Sequence, residues 1–184
     1  MVLVTALTAS VNGVEWHEWE SSMGGNSHYY TVVGENPGDV LTWYDAQTAA
    51  TGLGGYLVSF QSPAELNFVR KTFGKTELYW TGLTSTAGEG VFKWEDNQPV
   101  NFTKFGSERP NANVPSSVVI NQQQISRGQL RTGFFGAVNA FSEYRGIVEY
   151  EGGVPPTNVP DGGSPLALIA ISGVAGMICR FLKK

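Results

Sequence analysis

Charge and cysteine are both scarce in this sequence. Charged residues make up 15% of the 184 residues, against about 25% in a typical globular protein. The single cysteine, Cys179, excludes an internal disulfide and a zinc site built from several cysteines. The formal net charge is −4 and no run of basic residues precedes Arg180, so we do not expect a nucleic-acid partner. The folded part of the chain must therefore be stabilised by packing.

Glycine, proline and aromatic residues, in contrast, are plentiful. The 23 Gly and 9 Pro residues favour loops over a helical bundle, and the aromatic share of 12% can fill a core. The hydrophobic share of 41% is enough for one domain of ordinary size. We predict one folded domain over residues 14–152, followed by a Gly/Pro linker over residues 153–158.

Two helix starts are marked by capping residues. Thr42 is followed three residues later by Asp45, and Ser62 is followed three residues later by Glu65. In such a capping box, hydroxyl and carboxylate bind the free backbone N–H groups of the first helical turn. Pro63 stands at the first position of the second helix, where proline is favoured. Each helix carries one apolar stripe, so each is expected to bury one face.

Short runs of β-branched and aromatic residues alternate with these helices and follow them. They predict strands at residues 29–33, 56–60, 79–83, 91–94, 118–121, 134–138 and 146–150. Two early helices, many short strands and long Gly/Pro/Asn loops indicate the α+β class.

Six blocks of the sequence form a pattern with a fixed order and spacing. They are residues 43–47 (Trp-Tyr-Asp-Ala-Gln), 54–59 (Gly-Gly-Tyr-Leu-Val-Ser), 62–69 (Ser-Pro-Ala-Glu-Leu-Asn-Phe-Val), 79–83 (Tyr-Trp-Thr-Gly-Leu), 92–96 (Phe-Lys-Trp-Glu-Asp) and 144–150 (Tyr-Arg-Gly-Ile-Val-Glu-Tyr). In order and spacing these blocks resemble the C-type lectin-like domain. The resemblance implies two helices packed on short mixed or antiparallel sheets with a long irregular loop region, and no catalytic activity. It also implies core roles for Trp43, Trp80, Gly82, Leu83 and Trp94.

The family's cysteines are replaced in this chain. The resemblance places one cysteine of the family at Ala50 and another at Val148, so an apolar pair stands where the first helix and the last strand would be cross-linked. A further family cysteine falls near Ser117, with its partner around Asn139. Each missing disulfide forfeits about 2 to 4 kcal/mol in typical cases, which aromatic packing is expected to offset in part.

The calcium-binding blocks of sugar-binding members are largely missing. Arg109 stands where the family has a carboxylate or amide before Pro110 and Asn111, and residues 135–137 replace its Trp-Asn-Asp block with Phe-Gly-Ala. Calcium takes about 6 to 8 oxygen ligands, and Asn111 is the one side-chain ligand that remains. We therefore expect no cofactor, with calcium at Asn111 as a doubtful exception. Sugar held without metal would use stacking and hydrogen bonds, and the candidates by loop position are Arg109, Asn111, Asn113 and Phe135.

The end of the chain carries three elements in order: a short motif, an apolar run at residues 166–179 and a basic tail that begins at Arg180. They resemble C-terminal sorting signals of the PEP-CTERM and VPDSG type. This resemblance implies a bacterial protein whose apolar segment inserts transiently in the membrane, with an exosortase as processing partner. A plain tail anchor is the alternative. The motif comprises Val159, Pro160, Asp161, Gly162, Gly163 and Ser164.

The first 13 residues are apolar and small, and we interpret them as a truncated signal peptide, with a first strand as the alternative. With residues 159–184 as sorting signal, the chain is expected to be exported to the cell surface, envelope or extracellular matrix.

No catalytic set of residues is apparent. His17 and His28 lie in polar stretches, where a histidine is usually solvated, and the adjacent Glu95 and Asp96 are expected in a turn. We therefore predict a non-catalytic module that binds carbohydrate or another surface ligand through the loop around residues 107–117. The alternative is a structural or adhesive matrix protein that makes protein contacts and binds neither calcium nor sugar.

Overall fold

Both helices begin at the predicted capping residues. In the computed structural model, Thr42 caps α1 (Trp43–Gly52), accepting a hydrogen bond from the Asp45 N–H at 3.2 Å. Ser62 caps α2 (Pro63–Phe73) and accepts from the Glu65 N–H at 3.1 Å. The structure describes residues 13–156 except 35–38, 87–90, 107–110, 112–113 and 127–128.

Eight strands are described, and all seven predicted strands are among them. Their lengths differ from the prediction at several places, and β1 was not predicted at all. The strand predicted at residues 56–60 ends after Leu57, because the Ser59 N–H donates to the Glu149 side chain rather than to a ladder. The strands are β1 (His17–Glu18), β2 (Tyr29–Val33), β3 (Tyr56–Leu57), β4 (Tyr79–Ser85), β5 (Lys93–Trp94), β6 (Ser116–Ser126), β7 (Gln129–Val138) and β8 (Arg145–Tyr150).

These strands form one mixed sheet in the order β1-β2-β8-β4-β6-β7. Strand β3 pairs with β8, and β5 pairs with β4. The β4–β8 pair is parallel and every other described pair is antiparallel. Two helices with a mixed sheet confirm the α+β class.

The core consists of two clusters of buried side chains, one containing Trp94 and the other containing Trp43 and Trp80. Two indole N–H groups donate to backbone carbonyls, Trp43 to Thr81 at 2.9 Å and Trp80 to Leu41 at 2.8 Å. A Cβ atom at Gly82 would lie 2.5 Å from the Leu57 carbonyl oxygen, so the close approach of these backbones requires glycine. All five expected core residues, Trp43, Trp80, Gly82, Leu83 and Trp94, are buried.

The positions that resemble the family's cysteines lie together in space. Ala50 on α1 and Val148 on β8 are fully buried in the same cluster. Ser117 pairs with Val138, the residue before Asn139. Apolar contact and strand pairing therefore join the elements at these positions.

The beginning and the end of the described domain meet. The Trp16 indole N–H donates to the Pro156 carbonyl at 2.8 Å, and its ring lies 5.8 Å from that of Tyr150. The segment that follows β8 is thereby fastened beside the segment that precedes β1.

The predicted signal segment (residues 1–13, of which only residue 13 is described) and the sorting segment (residues 159–184) fall outside the described residues, as do Arg109, Pro110 and Asn113. Across the part of the chain that the structure describes, no helix combines the length and the apolar character needed to cross a bilayer.

Candidate functional site

The segment between β4 and β6, residues 86–115, is called the long loop. Its two ends meet where Ser85 pairs with Ser116 and Thr84 pairs with Ser117. The Ser85 hydroxyl also donates to the Val114 carbonyl at 2.8 Å. The loop therefore leaves the sheet and returns to it at one point, as a surface loop on a rigid base does.

Phe135 attaches the long loop to the core. Its backbone N–H donates to the Lys104 carbonyl at 2.8 Å, and its ring contacts those of Phe102 and Phe105, with centroids 6.0 and 5.8 Å away. Only 2% of Phe135 is exposed, so its ring offers no face on which a sugar could stack. We expected Phe135 to contact a ligand, but it is a core residue, because the long loop packs over its ring.

Asn111 is the one expected ligand residue of the long loop that the structure describes, and it is exposed. Its carbonyl accepts a hydrogen bond from the Val114 N–H at 3.0 Å, which forms a turn next to the base of the loop. Val114 itself is 54% exposed. This end of the loop therefore presents an amide and an apolar side chain to solvent.

The residues present do not fit a calcium site of the family's kind. Where the family has Trp-Asn-Asp, the Phe135-Gly136-Ala137 stretch of β7 supplies no side-chain oxygen. Within the described ranges, no group of three or more His, Cys, Asp or Glu side chains is placed to hold a metal ion.

A small cleft of about 210 Å³ lies at the root of the long loop. Its walls include Thr84, Lys93, Trp94 and Glu95, and the Thr84 hydroxyl donates to the Glu95 carboxylate at 3.0 Å. Asp96 points to a different group, accepting a hydrogen bond from the Ser59 hydroxyl. The two adjacent carboxylates therefore serve separate contacts, in the turn that the sequence predicts.

A second polar region, called the carboxylate cluster, comprises Asn26, His28, Tyr30, Glu65 and Glu149. Both carboxylates are buried, each residue being 2% exposed. The Tyr30 hydroxyl lies 2.8 Å from a Glu65 oxygen and 3.3 Å from a Glu149 oxygen. His28 Nδ1 lies 2.7 Å from the same Glu149 oxygen, and Asn26 Nδ2 donates to the Tyr30 hydroxyl at 2.9 Å. The cluster thus ties α2 to β2 and β8.

The carboxylate cluster lies beside a cleft of about 300 Å³ that opens to solvent. Burial and the neighbouring Glu149 charge raise the pKa of Glu65 to about 7. The hydrogen bond to Glu149 raises the pKa of His28, against the opposing effect of burial. Protons are therefore held in this cluster at pH values where exposed carboxylates have lost them.

Sequence reasoning missed the carboxylate cluster. His28 was expected to be solvated, but its side chain is 21% exposed and contacts Glu149, 121 residues further along the chain. Glu149 is the residue that could have indicated the cluster, because it stands between apolar neighbours in a strand that is central in the sheet. A carboxylate in such a strand needs polar partners.

The comparisons with known proteins agree with this architecture. A family model described as Lectin C-type domain matches residues 39–132. Human lymphocyte antigen 75 is 29% identical over 101 residues, which are 55% of this chain and 6% of that protein. Lectin BRA-3 of Megabalanus rosa is 28% identical over 117 residues, covering 60% of this chain and 65% of that lectin. The chain thus spans less than two thirds of the length of these curated relatives.

Solved structures show the same fold. Herring type II antifreeze protein matches with a TM-score of 0.59 at 18% identity, over 75% of this chain and 97% of the other. The C-type lectin domain of murine dendritic cell inhibitory receptor 2, in complex with N-glycan, matches with a TM-score of 0.55 at 20% identity, over 68% and 91%. The family match, which spans half of the sequence, and the shared fold show that this chain belongs to the C-type lectin domain family.

Proposed function

We propose that this chain is a non-catalytic recognition module that binds carbohydrate or another surface ligand through residues 107–117, which comprise the end of the long loop and the start of β6. Membership of a family of non-catalytic carbohydrate-binding domains supports the class of function. The location of the binding surface is supported by two hydrogen bonds that hold the long loop on the sheet. One joins Ser85 to Val114 at the base of the loop, and the other joins Phe135 to Lys104. Binding residues are commonly presented in this way.

The proposed binding needs no metal ion. The residues that replace the family's calcium ligands supply too few oxygens, so contacts must come from hydrogen bonds and apolar surface. Asn111 and Val114 present such groups on the described part of the loop. Arg109 and Asn113 are proposed as further hydrogen-bonding residues.

We further propose that the protein is exported and sorted to the bacterial envelope or extracellular matrix. The support is the order of motif, apolar run and basic tail in residues 159–184, which would insert transiently in a membrane and be processed by an exosortase. Residues 14–152 are then the exported domain and residues 153–158 its linker.

A glycan array probed with the full chain, in calcium and in chelator, tests the binding proposal. Binding that is equal in both buffers and is weakened in Asn111→Ala is the expected result. Asn101→Ala is the matched control, because Asn101 is another exposed asparagine of the long loop. An array that stays blank in both buffers, beside capture of a defined surface protein, would establish the structural or adhesive alternative, which the depleted calcium ligands favour.

Sorting is tested separately by deleting residues 159–184 from a tagged chain. We expect the shortened chain to be absent from the envelope fraction. Unchanged fractionation of the shortened chain would overturn the proposed exosortase processing and leave the binding proposal intact.

A further inference from the structure

Tyr44 and Phe141 form an exposed aromatic pair, called the aromatic platform. Tyr44 is 54% exposed and Phe141 is 73% exposed, and they are the only aromatic side chains that count as exposed in the described residues. Their ring centroids lie 5.7 Å apart, with an angle of 52° between the planes. Two neighbouring rings that face water contribute little to the core, so their position needs another explanation.

The backbone beneath the platform is rigid. The Trp43 N–H donates to the Ala140 carbonyl at 2.9 Å, and Leu41 and Tyr144 exchange two backbone hydrogen bonds of 3.0 Å. The Asn139 side chain accepts from the Phe141 N–H at 2.9 Å. The Tyr44 ring also packs edge-on against the buried Trp43, with centroids 5.5 Å apart. A ligand that binds both rings would therefore find them already ordered, which reduces the entropic cost of binding.

The two segments that supply the platform carry only negative charge. Asp45 follows Tyr44 directly, and Glu143 lies two residues after Phe141, and both are exposed. Neither segment that supplies the platform, residues 41–48 or residues 139–144, contains Lys or Arg. Carboxylate oxygens accept hydrogen bonds from hydroxyl groups and repel anionic ligands. The rim therefore favours a neutral ligand rich in hydroxyl groups.

The size of the platform favours a small ligand over a protein. The two rings together expose about 250 Å², whereas a stable protein interface buries about 800 Å² on each partner. The C–H groups on one face of a pyranose ring carry partial positive charge and are attracted to the negative faces of aromatic rings.

We propose that the aromatic platform is a metal-independent binding site for a neutral hexose-containing saccharide. The inference rests on the proposed function in that it assumes a carbohydrate-binding chain. It locates a site that uses no residue of the long loop. Two stacked rings and a few hydrogen bonds are expected to give a weak affinity for a single saccharide.

The full chain is titrated in chelator with four neutral saccharides: cellotriose, maltotriose, mannotriose and chitotriose. Sialyllactose serves as an anionic probe. Ligand-detected NMR measures the binding of each saccharide. We expect a neutral trisaccharide to bind and sialyllactose not to bind. The double variant Tyr44→Ala/Phe141→Ala should weaken binding at least tenfold. Met23→Ala is the control, because Met23 is an apolar side chain of similar exposure, at 66%, and lies in a turn before β2 that belongs to neither proposed site. Melting temperatures of the variants establish that they fold.

Three results would overturn the inference in distinguishable ways. If the double variant binds within twofold of the unaltered chain while Asn111→Ala weakens binding, the platform is not the site and the proposed function stands. If sialyllactose binds as well as the neutral probes, the assigned ligand class is wrong. If the unaltered chain binds no saccharide here or on the array, the platform and the carbohydrate function both fail.

Discussion

The long loop and the carboxylate cluster are fastened to the same sheet by opposite kinds of chemistry. The loop is held by phenylalanine rings around Phe135 and by backbone hydrogen bonds. The cluster is held by two buried carboxylates that both contact the Tyr30 phenol, one of which, Glu149, also contacts the His28 imidazole. Apolar packing is insensitive to protons, whereas buried carboxylates respond to pH. The domain therefore keeps its candidate binding segment on the pH-insensitive support.

The largest predicted loss of stability comes from removing the apolar support of the long loop. Phe135→Ala should lower the free energy of unfolding by about 3 to 5 kcal/mol, because it opens a cavity under the loop. Urea denaturation measures the loss, and limited proteolysis should show cleavage within residues 99–106 of the folded variant. Phe134→Ala on the same strand is the control, since Phe134 is only partly buried and should cost less.

The carboxylate cluster, unlike the apolar support of the long loop, should make the free energy of unfolding depend on pH. The pKa of Glu65 is raised to about 7 in the folded state, so its stabilising contribution is present below about pH 4.5 and is lost as pH rises through about 7. His28, whose pKa is also raised, contributes in the same sense. We expect the free energy of unfolding to fall by about 3 kcal/mol between pH 5 and pH 8.

Denaturation curves at several pH values measure this slope. Glu65→Gln should flatten it, whereas Glu20→Gln, at an exposed carboxylate, should leave it unchanged. A slope of opposite sign in the unaltered chain would show that the cluster does not retain protons.

Removing one hydroxyl from the cluster should have a smaller effect. Tyr30→Phe leaves the oxygens of Glu65 and Glu149 without their shared donor, which should cost about 1 to 3 kcal/mol. Tyr29→Phe is the matched control, because the Tyr29 hydroxyl donates to Glu18 at the surface. Equal losses in the two variants would contradict the importance assigned to the buried donor.

The smallest predicted effect lies outside the two regions, at the start of α1. Thr42→Ala removes a cap that binds the Asp45 N–H and should cost about 1 kcal/mol. Thermal melting measures it, with Thr48→Ala as control on the exposed face of the same helix. The loss should be independent of pH above pH 5, unlike the losses in the carboxylate cluster.

Local signals made much of the fold predictable. Helix caps and strand patterns depend on residues a few positions apart, so Thr42, Ser62 and the seven strands could be read from the sequence. The α+β class followed from their order. Strand β1 escaped prediction because it is two residues long and is defined by its pairing with β2 rather than by its own composition.

The sites were less predictable because their contacts are distant in sequence. Phe135 has the residue type of a ligand contact, and only the position of the long loop over it shows that it is buried. His28 and Glu149 come together across two strands, and Tyr44 meets Phe141 across a helix start and a turn. None of these pairs has a local pattern that would have indicated it.

The fastening of Pro156 beside Trp16 has a mechanical consequence. A pull on the segment that follows the domain first loads the Trp16 contact and then β8, which lies inside the sheet and pairs with β2, β3 and β4. Force along this strand shears the ladders on both of its sides together, so many hydrogen bonds must break at once. We expect the domain to resist extension strongly when it is pulled through this segment.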